Sequence, residues 1–379
     1  MVNSLKDEFL LDPSIIFLNH GSFGACPKPV FQVYQQWQLE LERQPVLFLG
    51  RRIDALLRDA MIPLAEYVNA DPQDMVFVRN ATAGVNIVAR SLRLNTGDEI
   101  LTTNHEYGAC TFTWEDVCQK TGAIFVQRII DLPVTTADAF IEHFWAGVTP
   151  RTKVIYLSQI TSPTALTFPI APIIQRARAA GIITIIDGAH APGQIPIDLQ
   201  ALDADFYTGN CHKWLCAPKG AAFLYARREY QDWLTPLIIS WGYYEESFAL
   251  RHERQGTYDP AAALSVPAAI KFQREHHWDL IRQECHNLVV KSHADFAEIT
   301  GIDPIAPADW FGQMVATLLP PCDITRMKSR LYDDYQIEIP ITVMQNTPFL
   351  RVSYQGYNTI EESERLKTAF SEVLALERS

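Results

Sequence analysis

No apolar run in this 379-residue chain approaches the roughly 20 residues that a bilayer-spanning helix needs, so a membrane role is not expected. Positive charge is scarce: 32 Lys and Arg stand against 44 Asp and Glu, a formal net charge of −12. Binding a nucleic-acid backbone relies on a cationic surface, which makes nucleic acid an unexpected partner. The seven cysteines are odd in number and scattered, which suits reduced thiols and not a disulfide framework. Cys211 and Cys216 lack the C-x-x-C spacing of a metal or redox pair, and no metal is expected. Residues 1–13 carry Lys6, Asp7 and Glu8 and no apolar segment of the secretory kind, so the chain is expected in the cytoplasm. Internal repeats and low-complexity tracts are missing too. So is a G-x-G-x-x-G turn after a first strand, and Gly21-Ser22-Phe23-Gly24 is too short to replace it; this argues against a nucleotide-dependent oxidoreductase.

What is present is an ordinary globular balance, 48% apolar and 20% charged residues, spread along an alternating pattern. Strands are expected at Met75–Arg79, Glu99–Thr103, Ala123–Arg128, Lys153–Ser158, Ile182–Asp187, Asp205–Thr208 and Ala221–Tyr225. Helices fit between several of them, at Ala83–Leu92, Tyr107–Lys120, Ala137–Ala146 and Ile170–Ala180. Alternation of this kind predicts an α/β domain with a mainly parallel seven-stranded sheet. Two helical stretches precede it, Val30–Arg43 and Arg51–Asn69, the second bent at Pro63. From about Ala261 two long helices, strands near Gln313–Leu319, Ile337–Ile341 and Phe349–Ser353, and a closing helix Ile360–Leu376 predict a smaller α+β domain. The expected division is an N-terminal segment 1–25 near the site, a large domain 26–260 and a small domain 261–379.

The chemistry concentrates in Thr184-Ile185-Ile186-Asp187-Gly188-Ala189-His190 and in Asp205 through Trp214. Asp187 closes an apolar strand, so its carboxylate should emerge at the C-terminal edge of the sheet, where ligands of open α/β sheets bind. Lys213 sits in a small His-Lys turn beside Trp214, Leu215 and Ala217, surroundings that suit burial and a lowered amine pKa. Together they predict a site for pyridoxal phosphate (PLP): the lysine carries the cofactor covalently and the aspartate keeps the ring nitrogen protonated. Asn80-Ala81-Thr82-Ala83-Gly84 joins a strand to a helix, and its backbone N–H groups with the Thr82 hydroxyl suit either a phosphate or an N-cap. Asn210 and His212 are candidate further donors to that phosphate. His105 follows the strand Glu99–Thr103, where an imidazole would either stack on the pyridine ring or bond a loop carbonyl. His190 is placed to reach the cofactor's phenolic oxygen. Arg351, between apolar neighbours on a strand, would grip a substrate carboxylate or close an internal salt bridge.

At these residues the chain resembles the class V aminotransferase family of PLP enzymes with the type I fold, over nearly its whole length. Phe17 to Pro27 with its N-H-G-S-F-G element, Arg79-Asn80-Ala81-Thr82, Ile160 to Leu166 and Leu331-Tyr332-Asp333-Asp334-Tyr335 resemble the isopenicillin N epimerase-like branch. The resemblance implies a homodimer with shared active sites, in which Gly256-Thr257 reaches the partner's PLP phosphate and Arg351 holds the substrate α-carboxylate. It gives Thr82 and His212 phosphate roles, His105 the stacking role, Asp187 the ring nitrogen and Lys213 the covalent link. His190 stands where many relatives have glutamine, and Ser162 where many have asparagine. Desulfurases of the family carry a nucleophilic cysteine ahead of that arginine, and Glu338 to Asn346 has none.

The leading expectation is proton abstraction at the α-carbon of an amino acid or amino-acid-containing peptide, with Lys213 as base and an epimerase or racemase outcome. Tyr107 and His20 are candidates for the opposing proton donor, and Asn19 joins them as a substrate-binding residue. Aminotransfer and cysteine or cystine C–S lysis share the same first step and stay open, as does a scaffold that keeps the fold without catalysis.

Overall fold

The computed structural model describes residues 5–378. The N-terminal segment contributes β1 (Ile16–Phe17), and seven strands then form one sheet: β2 (Met75–Val78), β3 (Glu99–Thr103), β4 (Ile124–Arg128), β5 (Thr152–Ser158), β6 (Ile183–Asp187), β7 (Phe206–Asn210) and β8 (Ala222–Ala226). They lie in the order β2-β8-β7-β6-β5-β3-β4, and β8 alone runs against the other six. Alternate side chains take opposite faces. Val154, Tyr156, Ile185 and Phe206 enter one apolar cluster, while Ile155, Leu157, Ile186 and Tyr207 enter the other. Helices cover both faces, which is why these strands read as near-continuous apolar runs. Among the described residues no helix is long and apolar enough to cross a membrane.

The smaller C-terminal domain carries β9 (Met314–Leu318), β10 (Ile337–Glu338), β11 (Ile341–Met344) and β12 (Thr347–Ser353). The expected strand Ile337–Ile341 is two strands in fact. Pro340, which lacks a backbone donor, separates them: β10 pairs with β1 in parallel, and β11 turns into β12 as an antiparallel hairpin. Gln345 and Asn346 form the two-residue turn, both at positive φ (48° and 65°), the conformation that a tight hairpin demands. The helices that precede this sheet are Val266–Glu275 and the 23-residue Trp278–Thr300, and His277 at φ 50° breaks the chain between them.

Residues 19–24 fold back over the loop that follows β7. Gly24 has φ 70° and ψ 166°, a region open in practice only to glycine. A Cβ there would also stand 2.1 Å from the His212 carbonyl oxygen. Lys219 Nζ donates to the Gly24 carbonyl at 2.9 Å, and a ring nitrogen of His20 bonds the Lys213 carbonyl at 3.0 Å. The N-H-G-S-F-G element therefore acts as a clamp on the backbone that carries Lys213. Gly24→Ala is expected to cost more than about 2 kcal/mol, since it adds backbone strain to a clash with another part of the main chain. Denaturant unfolding of both proteins checks this.

Candidate active site

Six elements converge at the C-terminal edge of the large sheet on a cavity of about 220 Å³. Ser158 ends β5, Asp187 ends β6 and Asn210 ends β7. Thr82 opens the helix Ala81–Ser91 after β2, Tyr107 caps the helix Gly108–Thr121 after β3, and Ser22 comes from the N-terminal clamp. Lys213, His212, His190, Ala189, Ile160, Ser162, Phe23, Asn80 and Ala81 complete the lining.

Lys213 Nζ lies 3.0 Å from His190 Nε2, and no carboxylate stands within salt-bridge reach of it among the described residues. Burial first, and then the positive charge of Arg351, lower its pKa to about 8. A neutral amine is thus accessible near physiological pH. Asp187 is buried, with Oδ1 accepting from the Ala189 N–H at 2.9 Å and Oδ2 from the Tyr156 hydroxyl at 3.1 Å. Burial raises its pKa, so a positive partner is what the carboxylate needs to stay ionised.

Arg351 is equally buried and has no acidic partner among the described residues. Its Nη1 donates to the Ser162 carbonyl, its Nη2 to Ser22 Oγ at 3.0 Å, and its Nε has no partner among the described residues. Burial alone pulls the guanidinium down to about 10. A buried cation with an orphaned donor is suited to an arriving carboxylate, and the internal salt bridge is not there.

The phosphate end is narrower than the sequence suggests. Asn80 caps the helix by accepting from the Ala83 N–H at 2.8 Å, and the Ala81 N–H is already taken by Asn210 Oδ1 at 2.8 Å. Ala81 is thereby withdrawn as a donor, because its one polar hydrogen is used within the protein. Thr82 remains, at the positive end of an 11-residue helix dipole, with His212, whose Nδ1 donates to the Ala221 carbonyl at 3.0 Å, and the Asn210 amide.

Three further expectations are corrected. His105 does not face the cavity: Nδ1 bonds Thr164 Oγ1 at 2.8 Å, Nε2 bonds the Ile130 carbonyl at 3.0 Å, and its ring meets Phe168 edge-on. With both nitrogens used and the ring enclosed, it braces the 161–166 loop and cannot stack on a cofactor. His20 lies behind Lys213, between the Tyr357 hydroxyl at 2.9 Å and the Lys213 carbonyl, and is no proton donor to a substrate. Asn19 is spent on Glu338 and on Ser22, the latter the residue that touches Arg351. Thr257 sits on an exposed turn outside the cavity.

Sequence reasoning missed Ser22, Ser158, Tyr156 and Glu106. Glu106 is a buried acid that accepts from Thr103 Oγ1 and from both the N–H and hydroxyl of Ser158, and burial pushes it up to about 7. Its signal was available: an acid directly after the strand-end histidine, in an otherwise uncharged run.

A family model described as aminotransferase class-V matches residues 26–366. The chain belongs to the class-V aminotransferase family. It is 34% identical to an isopenicillin N epimerase of Amycolatopsis lactamdurans, covering 97% of both chains. It is 28% identical to a probable chloroplastic L-cysteine desulfhydrase of Arabidopsis thaliana, across 95% of this chain and 83% of that one. A solved mutant of C-DES, with glycine covalently linked to its PLP cofactor, superposes with a TM-score of 0.83 at 19% identity over 97% of this chain and 99% of that one, a likeness of fold. The fold is that of type I PLP enzymes, and PLP is the family's cofactor. The residues present fit it: an amine held near neutrality, a buried carboxylate in want of a cation, unused donors at a helix N-terminus and an unpaired arginine.

Two outcomes follow for a family member with this site. PLP attachment to the purified chain, followed by absorbance, is expected to speed up as pH rises through about 8 and then level, because only the neutral Lys213 amine can react; Lys213→Ala should show no attachment. Arg351→Ala should raise KM for a carboxylate substrate about 10- to 100-fold, as loss of a charge-assisted bidentate contact implies, and leave an analogue lacking the carboxylate unaffected.

Proposed function

We propose that this chain is a PLP-dependent lyase that breaks the Cβ–S bond of cysteine or a cysteine-derived amino acid. The observation that carries this reading is that the cavity offers one amine base among the described residues, Lys213 backed by His190, while its other histidine, His212, and its carboxylate, Asp187, are taken here for the phosphate and the ring nitrogen. β-Elimination needs a single base and a leaving group, whereas inversion also needs a donor on the far side of the α-carbon. Of the two candidates for that donor, His20 has been withdrawn.

Arg351 would hold the substrate carboxylate, with Ser22 and Ser162 fixing the guanidinium. Asp187, steadied by Tyr156 and Ala189, would pair with the ring nitrogen, and Thr82, His212 and Asn210 would hold the phosphate. PLP, when bound, supplies the electron sink that makes the α-proton acidic. Lys213 Nζ takes that proton, the Cβ–S bond breaks with its electron pair leaving on sulfur, and Lys213 or His190 returns a proton to the thiolate. Water then converts the three-carbon remainder to pyruvate and ammonia. No cysteine lines the cavity among the described residues, and burial raises the thiols of Cys26, Cys110, Cys211, Cys216 and Cys285. Release of sulfide therefore fits better than transfer to a protein persulfide.

Epimerisation is the second reading. Tyr107, a hydroxyl at the cavity wall, favours it, together with the 34% identity to the epimerase. We further propose that the enzyme works in the cytoplasm as a homodimer, with Thr257 of one copy completing the other's phosphate site. Support comes from the exposed turn that bears Thr257 and from Trp241 and Tyr244 nearby in sequence, each more than nine-tenths exposed.

Incubation of the PLP-loaded protein with L-cysteine and L-cystine is expected to give sulfur product, pyruvate and ammonia, the last two in equal amounts. Accumulation of a D-amino acid without pyruvate would overturn the lyase in favour of epimerisation.

A further inference from the structure

Trp214 follows Lys213 directly, is fully buried and stands behind the cavity lining without being part of it. Its indole Nε1 donates to His190 Nδ1 at 3.2 Å. An indole can only donate, so Nδ1 must present its lone pair. A neutral imidazole with a bare Nδ1 carries its hydrogen on Nε2. That nitrogen lies 3.0 Å from Lys213 Nζ. An N–H at this distance needs an acceptor, and lysine accepts only as the neutral amine. The converse arrangement, an ammonium donating to Nε2, would set Nδ1–H against the indole N–H inside a dry site; an imidazolium would meet the same conflict. We infer that Trp214 is a positioning residue: its N–H fixes the tautomer of His190 and through it holds Lys213 as a free amine.

The indole has little freedom to yield. Its backbone carbonyl accepts from Gln273 Nε2 at 2.9 Å, and its ring stands 5.0 Å from that of His20. Gly193 leaves room for its backbone: a Cβ there would fall 2.2 Å from the Trp214 carbonyl oxygen. The charged and titratable neighbours pull in both directions. Arg351 disfavours a charged Lys213, Asp187 and Cys110 favour it, and His20 opposes a charged His190. The indole N–H differs from them in acting through geometry on one nitrogen.

The inference rests on Lys213 as the covalent anchor and base, but its test does not require turnover. The full-length chain, labelled with 15N-histidine, is observed by long-range proton–nitrogen NMR without cofactor and after PLP loading, and the His190 signal among the ten histidines is identified by its loss in His190→Gln. The expected result in the cofactor-free chain, at a pH above about 8 where Lys213 is a free amine, is the Nε2–H tautomer; an Nδ1–H tautomer or an imidazolium there would overturn the inference. Trp214→Phe keeps the packing and deletes the donor. It should shift the pH profile of Lys213 acylation, measured by mass spectrometry in the cofactor-free chain, upward by about one unit, roughly the worth of one neutral hydrogen bond. An unmoved profile in a variant that unfolds like the parent would overturn the inference. If Trp214→Phe does not fold, the parent's tautomer still decides. A chain that never takes up PLP yet shows Nε2–H would sink the functional reading alone, and an active enzyme with Nδ1–H would sink this inference alone.

Discussion

Two basic groups placed in the protein without acids organise this molecule. Arg351 is buried, Lys213 is half-buried at the cavity, and neither has a carboxylate within salt-bridge reach among the described residues. Removing charge from water is expensive, and here the usual compensation by a paired acid is withheld. The fold answers with neutral groups instead: backbone carbonyls, serine hydroxyls and a histidine. Each site residue can be understood by how it lets one of these two groups remain buried, and the unsatisfied remainder is the binding capacity.

The clamp formed by residues 19–24 follows from the same constraint. Lys213 occupies a turn after β7 with few regular hydrogen bonds, and a lysine on a loose turn would reach water. His20, Gly24 and Lys219 tie that turn down from the side away from the cavity. The same segment delivers Ser22 to Arg351, oriented by Asn19. One short motif therefore serves both cations, which explains why histidine, serine and glycine occur together there although none of the three performs the chemistry.

Much of this was legible in the sequence. All seven strands of the large sheet were placed within one or two residues of their observed spans, because a buried parallel strand leaves an apolar run that little else produces. Asp187 and Lys213 stood out because polar groups at the ends of such runs have no packing purpose. The errors have a common cause. His105, His20 and Asn19 sit beside the site in sequence, but whether a side chain faces a cavity or the protein behind it depends on contacts made elsewhere, at Ile130, Tyr357 and Glu338. Ala81 failed in the same way, since its donor was claimed by Asn210 from another strand. The split at Pro340 was readable from the proline itself, whereas the pairing of β10 with β1 was not, because nothing local marks so distant a partner.

That pairing has a bearing on biogenesis. The first strand of the chain lies against one close to its end, and Lys6 bonds Glu362, 356 positions away. The clamp on Lys213 belongs to this N-terminal segment. During synthesis the mid-chain partners of the clamp, Lys213 and Lys219, emerge well before β10, so the strand that anchors this segment is paired only after most of the chain has been made. The large sheet and the clamp's own contacts can form while translation continues, but the segment that carries the clamp lacks its strand partner. A chain cut short before β10 would lose the strand that anchors the clamp segment along with its last helix.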